Sequence, residues 1–107
     1  MYIYNVTIQV TWDIHERWLN WMTSTHMPEV VATGCFTGSR LLRLVEVDET
    51  DGPTYAAQYT AESKAAYNRY IMNFAELLRK KSFDAWGDKF IAFRSVMQQV
   101  FPEQPKD

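Results

Sequence analysis

The chain has 107 residues, of which 47% are hydrophobic, 15% aromatic and 22% charged, and its 11 basic and 13 acidic side chains leave a formal net charge of −2. This length and composition are typical of one globular domain. The nearly balanced charge argues against binding to nucleic acid, because a protein that contacts a line of phosphates needs clustered lysines and arginines.

The cysteine content and the apolar runs exclude further classes of protein. The single cysteine, Cys35, excludes an intrachain disulfide and any zinc or iron–sulfur site built from several cysteines. No apolar run approaches the ~20 residues that span a bilayer. Residues 1–5 lack the basic region and the continuous apolar region of a secretory signal. We therefore expect a cytoplasmic protein that does not insert into a membrane.

The first predicted element is a half-buried strand over residues 2–10. Its even-numbered positions carry Tyr, Val and Ile, whereas its odd-numbered positions carry a mixed set, namely Ile3, Asn5, Thr7 and Gln9. A period of two with β-branched and aromatic residues predicts a strand with one apolar face and one mixed face.

A first helix is predicted from about residue 14, because apolar side chains recur at helical spacing at Ile14, Trp18, Trp21 and Met22. Pro28 disfavours helical backbone geometry at Met27. We expect the helix to end or kink there and to restart as a short turn over residues 28–33, before Gly34.

Two strands over residues 36–47 and 54–60 follow, joined by an acidic Gly-Pro loop into a hairpin. The next apolar stripe predicts a second amphipathic helix over residues 63–81, with a one-turn continuation that closes at Gly87. A last strand is predicted over residues 89–100.

The elements together define one domain over residues 1–101, and residues 102–107 are expected to form a flexible tail. Their order, β-α-β-β-α-β, predicts an α+β fold of the ferredoxin-like type. In this sandwich, two helices cover one face of a four-stranded antiparallel sheet.

The second face of the predicted sheet has an unusual composition. Alternation along each strand assigns to it Ile3, Asn5, Thr7, Gln9, Thr37, Ser39, Leu41, Arg43, Val45, Ala56, Gln58, Phe90, Ala92 and Arg94. A solvated sheet face is polar at nearly every alternate position. This one mixes apolar and uncharged polar groups with two arginines, so we expect it to be covered.

Six segments spread over nearly the whole chain carry a resemblance to a known family. They are Ile3-Tyr4-Asn5-Val6-Thr7, His26-Met27-Pro28-Glu29-Val30, Ala32-Thr33-Gly34, Ser39-Arg40-Leu41-Leu42-Arg43, Tyr55-Ala56-Ala57-Gln58-Tyr59 and Lys89-Phe90-Ile91-Ala92-Phe93-Arg94. With these segments the chain resembles a small bacterial family of unknown function within the dimeric α+β barrel group.

The resemblance implies a homodimer in which two ferredoxin-like protomers pack sheet against sheet and enclose a barrel. The wider group that the chain resembles includes cofactor-free monooxygenases, haem-degrading enzymes, small-molecule decyclases and members without known catalysis. The implied fold therefore does not choose a chemistry.

His26 is the candidate catalytic residue. Its His-Met-Pro-Glu segment resembles the His-x-Pro motif of other dimeric barrel families, in which the histidine ends the first helix near the mouth of the cavity. A histidine at a helix end can also simply interact with free carbonyls and the helix dipole, and this alternative stays open. His15 lies roughly 16 Å away along a helix axis, so the two histidines of one protomer cannot bind the same ion, although a site across a dimer or with Glu16 or Glu29 stays open. We predict no metal site and no cofactor.

Arg43 and Arg94 are the candidate ligand-binding residues. With the phasing above, both point into a partly apolar space, where an unpaired charge is costly. Each needs an anion, which is either a carboxylate of the partner protomer or a small acidic ligand. Asn5, Thr7 and Gln58 could orient such a ligand, or they could satisfy one another's hydrogen bonds.

The sequence thus predicts a cytoplasmic homodimer that associates through its sheet face and binds a small polar or anionic molecule in the barrel. One alternative is a cofactor-independent enzyme, similar to a monooxygenase or an isomerase, with His26 as its acid or base. A second alternative is a protein with a purely structural role in assembly.

Overall fold

This computed structural model describes residues 1–103. In this part of the chain, the alternating and helical patterns of apolar residues form four strands and four α-helices. The strands are β1 (Tyr2–Val10), β2 (Gly38–Arg43), β3 (Thr54–Ala61) and β4 (Phe90–Gln98). The α-helices are α1 (His15–Trp21), α2 (Met27–Ala32), α3 (Lys64–Asn73) and α4 (Ala75–Trp86). Residues 104–107 of the predicted tail lie outside the described residues.

The four strands form one antiparallel sheet in the order β2-β3-β1-β4. The helices cover the side of the sheet to which the even-numbered residues of β1 point, and the buried core lies between the two layers. The other side is the open face. This arrangement confirms the predicted ferredoxin-like α+β fold.

The first helical region widens at Pro28 instead of ending there. A π-helical segment, Met22–His26, connects α1 to α2, and the backbone N–H of Met27 donates to the carbonyl of Met22, five residues earlier. Pro28 has no N–H, and in an α-helix its ring would clash with the carbonyl four residues earlier, at Ser24. The wider turn avoids this clash, so the predicted break is replaced by a continuous helix.

The hydroxyl groups of the π-helical segment satisfy carbonyls that the altered hydrogen-bonding pattern leaves available. Thr23 Oγ1 donates to the carbonyl oxygens of Leu19 at 3.0 Å and Asn20 at 3.3 Å, and Ser24 Oγ donates to Asn20 at 2.6 Å. Such side-chain bonds compete with the regular helix ladder and often bend helices. They support the wider turn locally.

The second helical region consists of two helices, where the sequence predicted one over residues 63–81. Ser63 caps α3 by accepting a backbone N–H, and Phe74 breaks the helix with φ −129° and ψ −30°. Helix α4 then continues to Gly87, which has a φ of +59° that suits a glycine. As a consequence, Arg79 lies in the middle of a helix rather than at its end.

The predicted phase of β2 and β4 was wrong, and both candidate arginines move to the other side of the sheet. Arg43 is opposite Tyr55 on β3, and Arg94 is opposite Val6 on β1. Directly opposite residues of antiparallel strands point to the same face. Arg43 and Arg94 therefore lie on the helix-covered side, whereas the predicted phases of β1 and β3 are confirmed.

The open face nevertheless has the mixed character that the sequence predicted. It carries Ile3, Asn5, Thr7, Gln9, Gly38, Arg40, Leu42, Thr54, Ala56, Gln58, Thr60, Ile91, Phe93, Ser95 and Met97. Its charged residue is Arg40, and Phe93 and Ile91 are 71% and 59% exposed. Leu41, Phe90 and Ala92, which the sequence assigned to this face, pack against the core on the other side.

We expect Trp18→Ala to cost about 3–5 kcal/mol of unfolding free energy, because it empties a fully packed core position. Trp18 is 2% exposed and its ring lies 5.2 Å from that of Tyr55. Chemical denaturation measures the change. The matched control is Met72→Ala. Met72 is 82% exposed, so this substitution should change the free energy of unfolding by no more than about 0.5 kcal/mol. Equal losses in the two variants would contradict this packing.

Candidate functional site

A cavity of about 40 Å³ lies between the helices and the covered side of the sheet. Apolar side chains from β1, β3, β4 and α1 form much of its wall. Polar groups enter from several elements, namely Tyr4, His26, Tyr59, Tyr70, Arg79, Ser82 and Arg94. No Asp or Glu is among the residues that line it. The cavity thus combines an apolar wall with two guanidinium groups and an imidazole.

The π-helical segment brings His26 to this cavity. The imidazole stacks on the indole of Trp21, with ring centroids 4.7 Å apart and planes 17° apart. Within residues 1–103, two buried side-chain nitrogens lack a hydrogen-bond partner, His26 Nδ1 and Trp86 Nε1, and the rings of both residues contact Trp21. An unsatisfied buried polar atom costs free energy, so a molecule that supplies a partner is stabilised there.

Burial lowers the pKa of His26 from 6.5 to about 4. The Glu29 carboxylate opposes this shift in pKa, whereas the charges of Lys81 and Arg94 add to it. His26 is therefore uncharged at neutral pH and offers a hydrogen-bonding imidazole. Because general bases work best with a pKa near the operating pH, this environment favours binding over proton abstraction.

Arg94 and Arg79 bring positive charge to the cavity from opposite layers of the fold. Arg94 projects from β4, and no carboxylate or hydrogen-bond acceptor contacts its guanidinium within the described part of the chain. Arg79 projects from α4, and its Nη2 donates to the Tyr4 hydroxyl at 3.2 Å. The nearby Glu29 is paired with Lys81 at 3.0 Å. Arg79 and Arg94 are both exposed to solvent, and Arg94 is left without an anion, so its guanidinium is available to bind one.

Arg43, in contrast, has its anion within the same chain. Its Nη2 lies 3.0 Å from Glu49 Oε2, and its guanidinium lies 5.9 Å from the centroid of the Tyr55 ring. Hydrogen bonds to Glu49 raise the pKa of Arg43. The prediction that Arg43 shares a site with Arg94 on the open face was wrong, because β2 has the opposite phase and the following loop supplies the carboxylate.

Asn5, Thr7 and Gln58 lie together on the open face, away from the cavity. Arg40 Nε donates to Gln58 Oε1 at 2.9 Å, and Gln58 Nε2 donates to Asn5 Oδ1 at 3.2 Å. Asn5 Nδ2 in turn donates to Thr7 Oγ1 at 3.0 Å. We call this chain of hydrogen bonds the polar row. Its amides satisfy one another, which was the open alternative to orienting a ligand.

The sequence analysis missed five polar residues of the cavity, Tyr4, Tyr59, Tyr70, Arg79 and Ser82. Arg79 belongs to a basic run that the sequence analysis interpreted as the end of a helix. In the structure, α4 extends beyond this run, and Arg79 lines the cavity from the middle of the helix. Tyr4 was assigned to the apolar face, although a buried tyrosine hydroxyl usually needs a partner. That requirement was the available signal for a polar group at this position.

The remaining candidates add no metal site. His15 Nε2 lies 2.6 Å from the Tyr55 hydroxyl. No group of three or more His, Cys, Asp or Glu side chains in residues 1–103 is arranged to hold a metal ion. None of the helices in the same part of the chain is long and apolar enough to cross a membrane.

Comparisons with known proteins support the fold. The sequence profile of a family described as Domain of unknown function (DUF4286) matches residues 1–100. The structure is similar to that of an ethyl tert-butyl ether D (EthD) family protein from Bacillus halodurans C-125, with a TM-score of 0.65 and 10% identity over 94% of this chain and 100% of that one.

It is also similar to At3g17210 from Arabidopsis thaliana, with a TM-score of 0.62 and 17% identity over 92% of this chain and 97% of that one. At such identities, both structures bear on the fold alone. No protein with a curated description matches the sequence significantly.

The lowered pKa of His26 makes the stability of the protein depend on pH. The unfolded chain binds a proton at this histidine more readily than the folded chain does, so stability is fully present above pH 6.5 and falls as the pH drops toward about 4. This one group accounts for up to about 3 kcal/mol. We expect His26→Gln to remove that part of the acid sensitivity.

Denaturation curves of the two proteins between pH 7 and pH 4 test this expectation. The free energy of unfolding of the wild type should fall more steeply than that of the variant. Parallel curves would show that the imidazole is not desolvated.

Proposed function

Because this chain belongs to the DUF4286 family, whose function is unknown, we propose its function from the cavity itself: the protein binds a small anionic or polar molecule between its helices and its sheet, in contact with Arg94 and His26. One observation carries the proposal. Two guanidinium groups and an unpartnered imidazole nitrogen converge on a cavity that no acidic side chain lines.

Charge is the first support for an anionic ligand. A guanidinium facing a partly closed apolar wall is stabilised by an anion that it can bind through two parallel hydrogen bonds. Arg94 has no such partner in residues 1–103, whereas Arg43 and Lys81 have theirs in Glu49 and Glu29. Of the two arginines that line the cavity, Arg79 donates to the Tyr4 hydroxyl and Arg94 has no hydrogen-bond partner in residues 1–103.

The cavity also has room for a ligand. A buried water needs about 10–15 Å³, so a cavity of about 40 Å³ accommodates roughly three waters or a molecule of a few heavy atoms. The sequence had assigned the ligand to a barrel between two sheets. The side chains that suit an anion instead support a site beneath the helices of each protomer.

A cofactor-independent enzyme with His26 as acid or base would use the same cavity, and the favouring observation is that Arg94 lines this cavity too and that its charge acts on His26. A developing negative charge would be stabilised by the guanidinium. Against this stands the low pKa of the imidazole, about 4, which makes it a weak base at neutral pH. We therefore rank binding above catalysis.

We also propose that the protein is a homodimer that associates through the open face. On this face Ile91, Phe93 and Met97 are 59%, 71% and 43% exposed, and Leu42 is 43% exposed. Exposed apolar side chains with few charges among them are typical of the buried centre of protein interfaces. A second copy of the chain offers the same surface, as a two-fold contact requires.

The polar row fits such an interface. Its amide and hydroxyl groups already bond to one another, so covering them leaves few unsatisfied atoms. A protein with a purely structural role in assembly would need only the two sheets packed face to face at about 10 Å. It would have no use for the cavity beneath the helices.

The buried free thiol of Cys35 suits the reducing cytoplasm, which we propose as the location.

Arg94→Met tests the ligand site. In thermal melts with formate, acetate, propionate or glycolate, we expect at least one acid to stabilise the wild type, because ligands raise the stability of the state that binds them. The variant should fold normally and bind that acid at least about tenfold more weakly, or about 1.4 kcal/mol.

The matched control is Arg17→Met, an exposed arginine on α1 that does not line the cavity, which should keep the ligand response. If none of the acids nor their amides stabilises the wild type, the proposed function is wrong. If both variants respond alike, Arg94 is not the anchor.

Sedimentation equilibrium tests the dimer. We expect twice the chain mass of 12.6 kDa for the wild type at micromolar concentration. Phe93→Lys should give a monomer, because two unpaired charges would be buried at the interface. Met72→Lys, at an exposed apolar position on α3, should remain a dimer. A wild-type monomer would rule out the proposed assembly.

A further inference from the structure

We infer that the ligand of the cavity is a carboxylic acid of about one or two carbons, bound as its carboxylate between Arg94 and His26, and that its binding brings a proton from solvent onto the imidazole. This inference rests on the proposed function, because it specifies what the same site binds. Three features of the cavity carry it: its size, its donors and the groups that surround His26.

Size excludes aromatic acids. An engineered cavity of roughly 150 Å³ holds one benzene molecule, and the cavity of this protein is only about 40 Å³. Formate and acetate, with three and four heavy atoms, match the roughly three water-sized atoms that such a space holds. The aliphatic and aromatic wall that includes Ile8, Trp18 and Ala92 suits the alkyl end of this molecule.

The donor set favours a single carboxylate over phosphate. Arg94 provides one unpaired planar guanidinium, whose geometry matches the two oxygens of a carboxylate. The second guanidinium, Arg79, already donates to the Tyr4 hydroxyl. Burial raises the pKa values of Tyr59 and Tyr70 well above the ordinary range, so both stay neutral. A phosphate dianion would need more charged partners than this.

His26 has a reason to change its protonation when a carboxylate enters. The charged groups around it are Glu29 on α2, Lys81 on α4 and Arg94 on β4. Glu29 and Lys81 form an ion pair with each other, and Arg94 disfavours a charged imidazole. A carboxylate bound to Arg94 compensates that guanidinium and adds a negative charge beside the ring. Both changes favour imidazolium.

Protonation also resolves the unsatisfied nitrogen. In imidazolium both ring nitrogens carry a hydrogen, so Nδ1–H can donate to a carboxylate oxygen that reaches it. The buried atom that lacks a partner in residues 1–103 would then make a charge-assisted hydrogen bond. The step moves one proton from solvent to His26 and breaks no other bond.

Isothermal titration calorimetry at pH 5.5, in two carboxylate-free buffers of different ionisation enthalpy, MES and cacodylate, tests the inference. We expect acetate to bind with uptake of about half a proton or more. Acetamide, which has the same shape without the charge, and benzoate, which is too large, should each bind at least about tenfold more weakly. His26→Gln should still bind acetate but take up no proton at this pH. The matched control His15→Gln should behave as the wild type.

The outcomes separate this inference from the proposed function. Acetate binding without proton uptake, or with the same uptake in His26→Gln, overturns the coupling to His26 and leaves the ligand site standing. Benzoate or acetamide binding as tightly as acetate overturns the ligand class. A cavity that binds none of the three molecules contradicts the proposed function as well.

Discussion

Tyr4 packs between the sheet and the helices, and it also lines the cavity. Tyr4 projects from the central strand and is 3% exposed. Its ring lies 5.6–6.1 Å from four aromatic rings, those of Phe36, Tyr59, Tyr67 and Tyr70. Rings of this size bury much apolar area, but tyrosines also bring hydroxyls that need partners. Arg79 reaches the Tyr4 hydroxyl from α4, so the same residue that anchors the core also brings a guanidinium to the cavity.

A proline in the first helical region determines what faces that cavity. Pro28 cannot donate a hydrogen bond, so the helix widens over Met22–His26 before α2 begins. This turn ends at His26, whose ring stacks on Trp21 and loses contact with most of the solvent. Single π-helical turns often occur at functional sites. Here the wider turn that Pro28 requires places the His26 imidazole where burial lowers its pKa.

The sequence predicted the fold because polar residues in β1 and in β3 occupy every second position, which identifies the side of the sheet that each residue faces. The structure confirms the predicted sides for both strands. In β2 and β4 large apolar residues occupy adjacent positions, as at Leu41 and Leu42 or Phe90 and Ile91, so alternation does not identify the inner side. That ambiguity reversed the positions of Arg43 and Arg94. The anion predicted for Arg94 was argued from the reversed phase; in the structure Arg94 is exposed on the other side of the sheet and pairs with no carboxylate within residues 1–103. The partner of Arg43 comes from a loop, and strand alternation contains no information about it.

The central claim is that His26 is an uncharged, desolvated group at the wall of a ligand cavity, and NMR of its ring nitrogens in the ligand-free protein tests it most directly. Long-range ¹H–¹⁵N spectra recorded from pH 8 to pH 4 report the charge of the imidazole. The structure predicts that His26 stays neutral through the mildly acidic range and titrates with a midpoint near 4. A midpoint near the ordinary value of 6.5 would contradict the account, because the ring would then be hydrated and Nδ1 would have water as its partner.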